Sequence, residues 1–413
     1  MTAILEDSRA SAGELTQLRH ALHAEPEIGL DLPRTQEKVL AALDGLPLEI
    51  STGRRTTSVT AVLRGTGAPA SPAPGAGAPP VVLLRGDMDA LPVQEAGGLP
   101  YTSRNAGAMH ACGHDLHTTM LVGAARLLST HRDKLHGDVV LMFQPGEEGW
   151  DGAGVMLDEG VLEAAGRPVD AAYALHVFSG LIPQGQFVSR PGTILSASDS
   201  LKVTVRGSGG HGSSPHLAVD PVPAISAMVT ALQTMVTREF DVFDPVVVTV
   251  GSLHAGTRRN VIPETATFEA TVRTFSPVSR ERVMRSAPRV LHGIAAAHGV
   301  EVEVDYVGEY PLTTTDADET AHVSRTVGEV FGDERYRTLE NPFGGSEDFS
   351  RVLGSVPGGF VGLGAVPTGA DPATAAFNHS PHARYDDAVL PDGAALYAEL
   401  ALRRLAQGTR TAL

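Results

Sequence analysis

The sequence predicts an α/β protein: a mixed, mostly parallel sheet with helices on both faces, interrupted by an inserted ferredoxin-like βαββαβ unit. Three observations predict it. Short continuous apolar runs, VVLL at 81–84, VVLMF at 139–143 and AAYAL at 171–175, alternate with segments of helical period, as strands buried on both faces require. From 192 to 308 the order changes to LKVTVRG, a helix across Pro221 to Arg238, VVVTVGSL, TATFEATVRTF, a helix across Ser279 to His298, and VEVDYVG, which is the split βαβ pattern. The last hundred residues return to mixed α/β signals, including GGFVGLGAV at 358–366. At 413 residues the chain exceeds what one hydrophobic core organises. The expected domains are therefore 1–191 together with 309–413, and 192–308.

Taken in order, the amino terminus MTAILEDSRASAGELTQLRH has neither a basic n-region nor an apolar h-region. Next comes a strand-like TSVTAVLR at 57–64, then the Pro, Ala and Gly segment GTGAPASPAPGAGAPP at 65–80, read as a mobile surface connection in an expanded hairpin leading to VVLLRGD at 81–87. Leu116, Met120, Ala124 and Leu127 recur at helical spacing, so a helix starts just after MHACGHD at 109–115. That motif holds the chain's single cysteine.

Composition narrows the function. The formal charge of −16, from 32 Lys and Arg against 48 Asp and Glu, opposes a nucleic-acid backbone or an anionic membrane, and no cluster of basic residues interleaves with aromatics. No apolar run reaches the ~20 residues of a membrane span. One cysteine cannot form an internal disulfide, which fits a reducing compartment, and the expected setting is cytoplasmic.

The chemistry-bearing residues stand at the ends of the predicted strands. VVLLRGDMD delivers Asp87 and Asp89, VVLMFQPGEE delivers Glu147 and Glu148, and AAYALHV delivers His176. Ligands of open α/β sheets bind outside the carboxyl ends of strands, so these groups can converge with Cys112, His114 and His379 of FNHSP. Singly, each has a bland reading as core cysteine, core histidine or solvated turn. Jointly, one thiolate, three imidazoles and a carboxylate exceed the needs of one tetrahedral ion and suggest two ions sharing a bridge.

GDMDALPVQE, MHACGHD, QPGEEG, GSGGHGSSPH, GTRRNVIP, GGSEDFS and NHSP, in that order and across nearly the whole chain, resemble metallopeptidase family M20, in particular its amidohydrolase subfamily D. That group includes hippurate hydrolases, N-acyl-amino-acid amidohydrolases and enzymes releasing indoleacetate from amino-acid conjugates. Many M20 enzymes carry His-x-Asp where this chain has Asp87-Met88-Asp89, and bridge their metals with aspartate; subfamily D has the Cys-Gly-His arrangement instead. The resemblance implies Cys112, His114, Glu148, His176 and His379 as ligands of two divalent ions, Zn or Mn with Co or Ni as alternatives, Cys112 being a candidate bridge. Asp89 becomes an orienting carboxylate and Glu147 the general acid and base, while Asp87 has no assigned role.

In the second domain the resemblance implies His211 as oxyanion donor, often from the neighbouring subunit, with Asn260 as its partner. Gly344 and Gly345 are expected along the substrate cleft, with Ser346 capping a helix; His216 and His254 are read as structural. The inserted domain is implied to be a lid and dimerisation unit, in a homodimer or dimer of dimers. The implied reaction is hydrolysis of N-acyl amino acids, acetyl, benzoyl or other aromatic acyl, to a carboxylic acid and an amino acid. A carboxypeptidase or dipeptidase using the same metals is the alternative.

Overall fold

A computed structural model describes residues 2–67 and 78–408, so residues 68–77 of the Pro and Ala segment lie outside the described residues. The chain divides into two compact units. One contains 1–192, 314–340 and 351–413, the other 193–313 and 341–350.

The first unit opens with α1 (Ala3–Ala10), α2 (Ala12–His23) and α3 (Pro33–Leu43), then β1 (Leu48–Thr52), β2 (Val59–Leu63), β3 (Val81–Asp87), α4 (His114–Thr130), β4 (Asp138–Gln144), β5 (Ala171–Phe178) and β6 (Phe187–Ser189). The second unit holds β7 (Ala197–Arg206), α5 (Pro221–Glu239), β8 (Val246–Ala255), β9 (Thr265–Thr274), α6 (Pro277–His298) and β10 (Glu301–Tyr310). The chain then returns to the first unit with α7 (Ala317–Phe331), β11 (Tyr336–Thr338), β12 (Gly358–Gly364) and α8 (Leu390–Ala406).

The first unit is built on an eight-stranded sheet of order β1-β2-β4-β3-β5-β12-β6-β11. β3 runs parallel to both β4 and β5, and β12 parallel to β5, so these four strands end on the same side. Their residues are buried on both faces, which is why they read as unbroken apolar runs rather than alternating ones. The covering helices contribute Leu15, Val39, Leu116, Met120, Leu396 and Leu400 to one core with Val82, Leu84, Leu141 and Tyr173.

One pairing differs from the expected hairpin. β2 pairs antiparallel with β4, and β4 lies between β2 and β3, so β2 and β3 are not neighbours in the sheet. A run of apolar residues specifies burial but not which neighbour a strand takes, and here β4, nearly eighty residues downstream of β2, fills the gap.

In the second unit the four antiparallel strands stand in the order β8-β9-β7-β10, and α5 and α6 cover one face. Alternation sets the face: Leu201, Val203 and Val205 are buried in the core with the helices, while Lys202 and Arg206 are exposed. The helix starts are conventional. Asp220 and Ser276 accept hydrogen bonds from the backbone N–H groups of Val222 and Ser279, and a proline follows each.

Two details of this unit differ from the sequence reading. β10 continues to Tyr310, and the segment 341–350, expected with the first domain, packs with the second unit through Phe343, whose N–H donates to the Ile194 carbonyl at 2.8 Å. Ser346 does not cap a helix: the next helical turn begins at Ser350, and the Ser346 hydroxyl accepts from Arg273 Nη1 at 2.7 Å. A half-buried, charged arginine on β9 has the stronger claim on that hydroxyl than a four-residue helix has.

Candidate metal centre

The Cys-Gly-His stretch works because its middle residue is glycine. Gly113 has φ +84°, and a Cβ there would lie 2.4 Å from Cγ2 of Val177, so only glycine lets the chain turn sharply enough to present Cys112 and His114 to one place. α4 begins at His114. From the end of β5, His176 brings its Nε2 to 3.4 Å from Cys112 Sγ. His379 arrives from a loop near the carboxyl end and stands with its Nε2 3.3 Å from the same sulfur and 3.3 Å from Glu148 Oε1.

His379 adopts φ +71°, a left-handed conformation that costs a non-glycine residue on the order of 1–3 kcal/mol. Its backbone N–H donates to the Ala111 carbonyl at 2.8 Å, and Asn378 Nδ2 donates to the Val177 carbonyl at 3.0 Å, which holds the loop in place.

Among the described residues, two of five candidate donor triads contain Cys112. Cys112, His114 and His176 form one, Cys112, Glu148 and His379 the other, with the candidate ligand atoms of each within 4.8 Å of one another. The thiol is common to both. The remaining histidine of the helix is excluded by its own hydrogen bonds: His117 Nε2 accepts from the Val177 backbone N–H at 2.8 Å, so Nδ1 carries the proton and donates to Asp87 at 2.6 Å. No lone pair is left for a metal.

Asp87 thereby acquires a role that the sequence left open. It is fully buried, takes Arg85 Nη1 at 2.5 Å on one oxygen and His117 on the other, and so ties β3 to α4. Burial raises its carboxyl pKa, but Arg85, His114 and His117 outweigh that and hold it well below the usual range.

Asp89 shapes the other side. Its two oxygens accept the backbone N–H groups of Glu147 at 2.9 Å and Glu148 at 3.0 Å, which fixes the turn after β4, and one lies 3.5 Å from His114 Nδ1. The Glu147 side chain is buried, and a carboxylate oxygen lies within 4.8 Å of candidate ligand atoms of His114 and Glu148.

The protonation pattern suits a cation. Burial pushes the His176 imidazole down and keeps it neutral, with Nδ1–H donating to the Val177 carbonyl at 2.9 Å and the Nε2 lone pair turned toward the thiol. His379, between the thiol and Glu148, is pushed up to about 10. Burial raises the Glu148 carboxyl, but hydrogen bonding and charge from His379 and the charge of His114 hold it below its usual value.

Both ring nitrogens of His114 are buried without a hydrogen-bond partner. Such groups are costly to leave unpaired. Donor atoms aimed at a common point fit two divalent ions, and the residues that would hold them are Cys112, His114, Glu148, His176 and His379.

His211, Asn260, Gly344 and Gly345 all belong to the second unit. The structure places His211 beside Asn260: the short strands 210–211 and 261–262 pair, and the Gly212 N–H donates to the Asn260 carbonyl at 2.9 Å. Both residues are exposed, and the His211 ring nitrogen Nδ1 lies 2.8 Å from the Ser213 hydroxyl. Gly344 and Gly345 offer their carbonyls to the Ser196 hydroxyl, each at 3.0 Å. His216 and His254 are exposed.

Sequence reasoning missed Arg85 and His117. Arginine inside a run as apolar as VVLLRGD signals a buried charge pair, and histidines three apart on one helix signal a shared face.

A thiol common to two donor triads, with a further carboxylate beside them, is the donor set of a candidate dinuclear metal centre. Residues 83–403 match the model of Peptidase family M20/M25/M40, and the chain belongs to that family as a metal-dependent amidohydrolase. It is 36% identical over 392 residues to IAA-amino acid hydrolase ILR1-like 4 of Arabidopsis thaliana, covering 94% of this chain and 85% of the relative. It is 33% identical over 395 residues to Thermostable carboxypeptidase 2 of Saccharolobus solfataricus, covering 94% and 95%. The crystal structure of Bacillus subtilis YXEP protein, described as a dinuclear metal binding peptidase from M20 family, superimposes with a TM-score of 0.79 at 30% identity, covering 96% of this chain and 99% of that one.

Proposed function

We propose that the protein hydrolyses N-acyl amino acids, releasing a carboxylic acid and a free amino acid, in the cytoplasm. The observation that carries this reading is the pair of triads sharing Cys112 with Glu147 alongside. The relative named for amino-acid conjugates of IAA supports an acyl group joined to an amino acid. Acetyl, benzoyl and other aromatic acyl groups are the acyl class assigned.

When bound by Cys112, His114, Glu148, His176 and His379, two divalent ions supply Lewis-acid polarisation of the amide carbonyl and lower the pKa of water. A thiolate with imidazoles and a carboxylate suits Zn, and the mixed set also accommodates Mn, Co or Ni. Glu147 takes the proton of the attacking water and delivers it to the departing amine nitrogen, so its carboxylate begins and ends the cycle ionised. Asp89 keeps Glu147 at that distance by holding its backbone N–H. His211, with Asn260 next to it, donates a hydrogen bond to the oxyanion of the tetrahedral intermediate, reaching it from the second copy in a homodimer.

The carboxypeptidase relative favours a second reading, cleavage of a carboxy-terminal peptide bond with the same residues. One panel separates the two: N-acetyl, benzoyl and indoleacetyl amino acids against dipeptides and N-blocked peptides, assayed with enzyme whose metal has been identified by elemental analysis. Preference for dipeptides or N-blocked peptides over every simple acyl amino acid would replace the first reading with the second.

A further inference from the structure

We propose that Arg19 is a positioning residue for the metal centre, acting through Asp115 on the first turn of α4. The inference rests on the reading of Cys112 and His114 as metal donors.

Asp115 follows His114 directly. Its Oδ2 accepts Arg19 Nε at 2.8 Å and faces His23 Nδ1 at 2.8 Å, with the Arg19 and Asp115 side chains fully buried. Arg19 and His23 are one helical turn apart on α2, so both reach the same carboxylate from one face. The fork of Arg19 also takes in two other segments: Nη1 donates to the Tyr101 hydroxyl at 2.6 Å and to Asp387 Oδ1 at 3.0 Å. Asp387 faces His20 Nε2 at 2.7 Å, and Tyr101 stacks on His20 with ring centroids 3.6 Å apart. Three other segments, at Tyr101, Asp115 and Asp387, thus meet on one guanidinium.

Buried ion pairs add little to stability compared with apolar residues of equal size, so their best use is to fix geometry. α4 needs such a fixed point. Its N-cap is Gly113, which offers no side-chain cap, and the His114 ring makes no hydrogen bond of its own. The direction of His114 therefore follows the backbone of the first turn, which Asp115 grips on the α2 side while His117 holds it to β3 and β5. Metal sites tolerate displacements of only ~0.5 Å.

The test uses Arg19→Lys, which keeps the charge and loses the fork, and the double variant Arg19→Met with Asp115→Asn, which removes both charges together. Metal-free protein is titrated with Co(II), following the thiolate-to-cobalt absorption band, and the metal-free forms are melted in parallel. Loss of a residue that orients a ligand typically costs about 10- to 100-fold in metal affinity. The expected result is a rise of that size in the Co(II) dissociation constant, with an altered band, in variants that still unfold cooperatively. Affinity within about threefold of wild type in either folded variant would overturn the proposal, since a merely structural pair moves the melting temperature and not the band. Failure of both variants to fold would overturn it too, by making the pair a stability element. A wild-type protein with no thiolate-to-cobalt band would sink the metal reading itself, a different result from equal bands in wild type and variant.

Discussion

Asp89→Asn separates positioning from ligation. Asp89 serves two backbone donors, Glu147 N–H at 2.9 Å on one oxygen and Glu148 N–H at 3.0 Å on the other. Asparagine keeps one acceptor oxygen and sets an amide NH₂ against the other N–H, donor against donor. At least one charge-assisted bond is lost, worth about 1.5–3 kcal/mol. Because those two N–H groups fix the turn that carries Glu148, the loss falls on the metal-bound geometry. At 1.4 kcal/mol per decade it corresponds to roughly 10- to 100-fold weaker metal binding. The assay is competition for the metal against a chelating dye, with circular dichroism to confirm the fold. A folded Asp89→Asn protein that binds within about threefold of wild type refutes the claim that this carboxylate orients the glutamates.

Three further outcomes are expected. Glu147→Gln preserves shape and removes the proton acceptor, so it should keep both metals by elemental analysis and lose about 10²–10⁴ in turnover, whereas Cys112→Ala should lose metal; a less than tenfold drop for the first, or full occupancy for the second, reverses that assignment. The His379 imidazole, raised from 6.5 to about 10 by the thiol and Glu148, stabilises the folded metal-free protein below 6.5, and that contribution fades as pH climbs through 10. Metal must displace this proton, so affinity should rise with pH, and calorimetry near neutral pH in buffers of differing ionisation enthalpy should detect proton release on binding; none would count against His379 as a ligand. Mixing His211→Ala with Glu147→Gln under subunit exchange should restore about a quarter of wild-type activity if His211 acts in a partner's site, because half the dimers are mixed and each has one intact site of two; no recovery despite confirmed exchange would return His211 to its own subunit.

Strand and helix identity, the βαββαβ insertion and the candidate donors were legible in the sequence because each is written locally, in burial period, turn residues and residue chemistry. Cys112, Gly113 and His114 are contiguous, and Glu147, Glu148 and His176 follow apolar runs that announce their strands. What the sequence alone left undecided is which of these groups meet. The order β1-β2-β4-β3-β5 determined that Asp89 binds the glutamate turn and that β2 does not pair with β3. Hydrogen bonds with Asp87 on β3 and the Val177 backbone on β5 occupy both ring nitrogens of His117 and take it out of the candidate donors. The grip of Arg19 on Asp115 spans 96 residues of chain. Local periodicity fixes which face a side chain takes, but a partner so distant in sequence is chosen by packing. A buried charge accepts only the neighbour whose geometry compensates its lost hydration, and that neighbour exists only once the sheet and helices are in place.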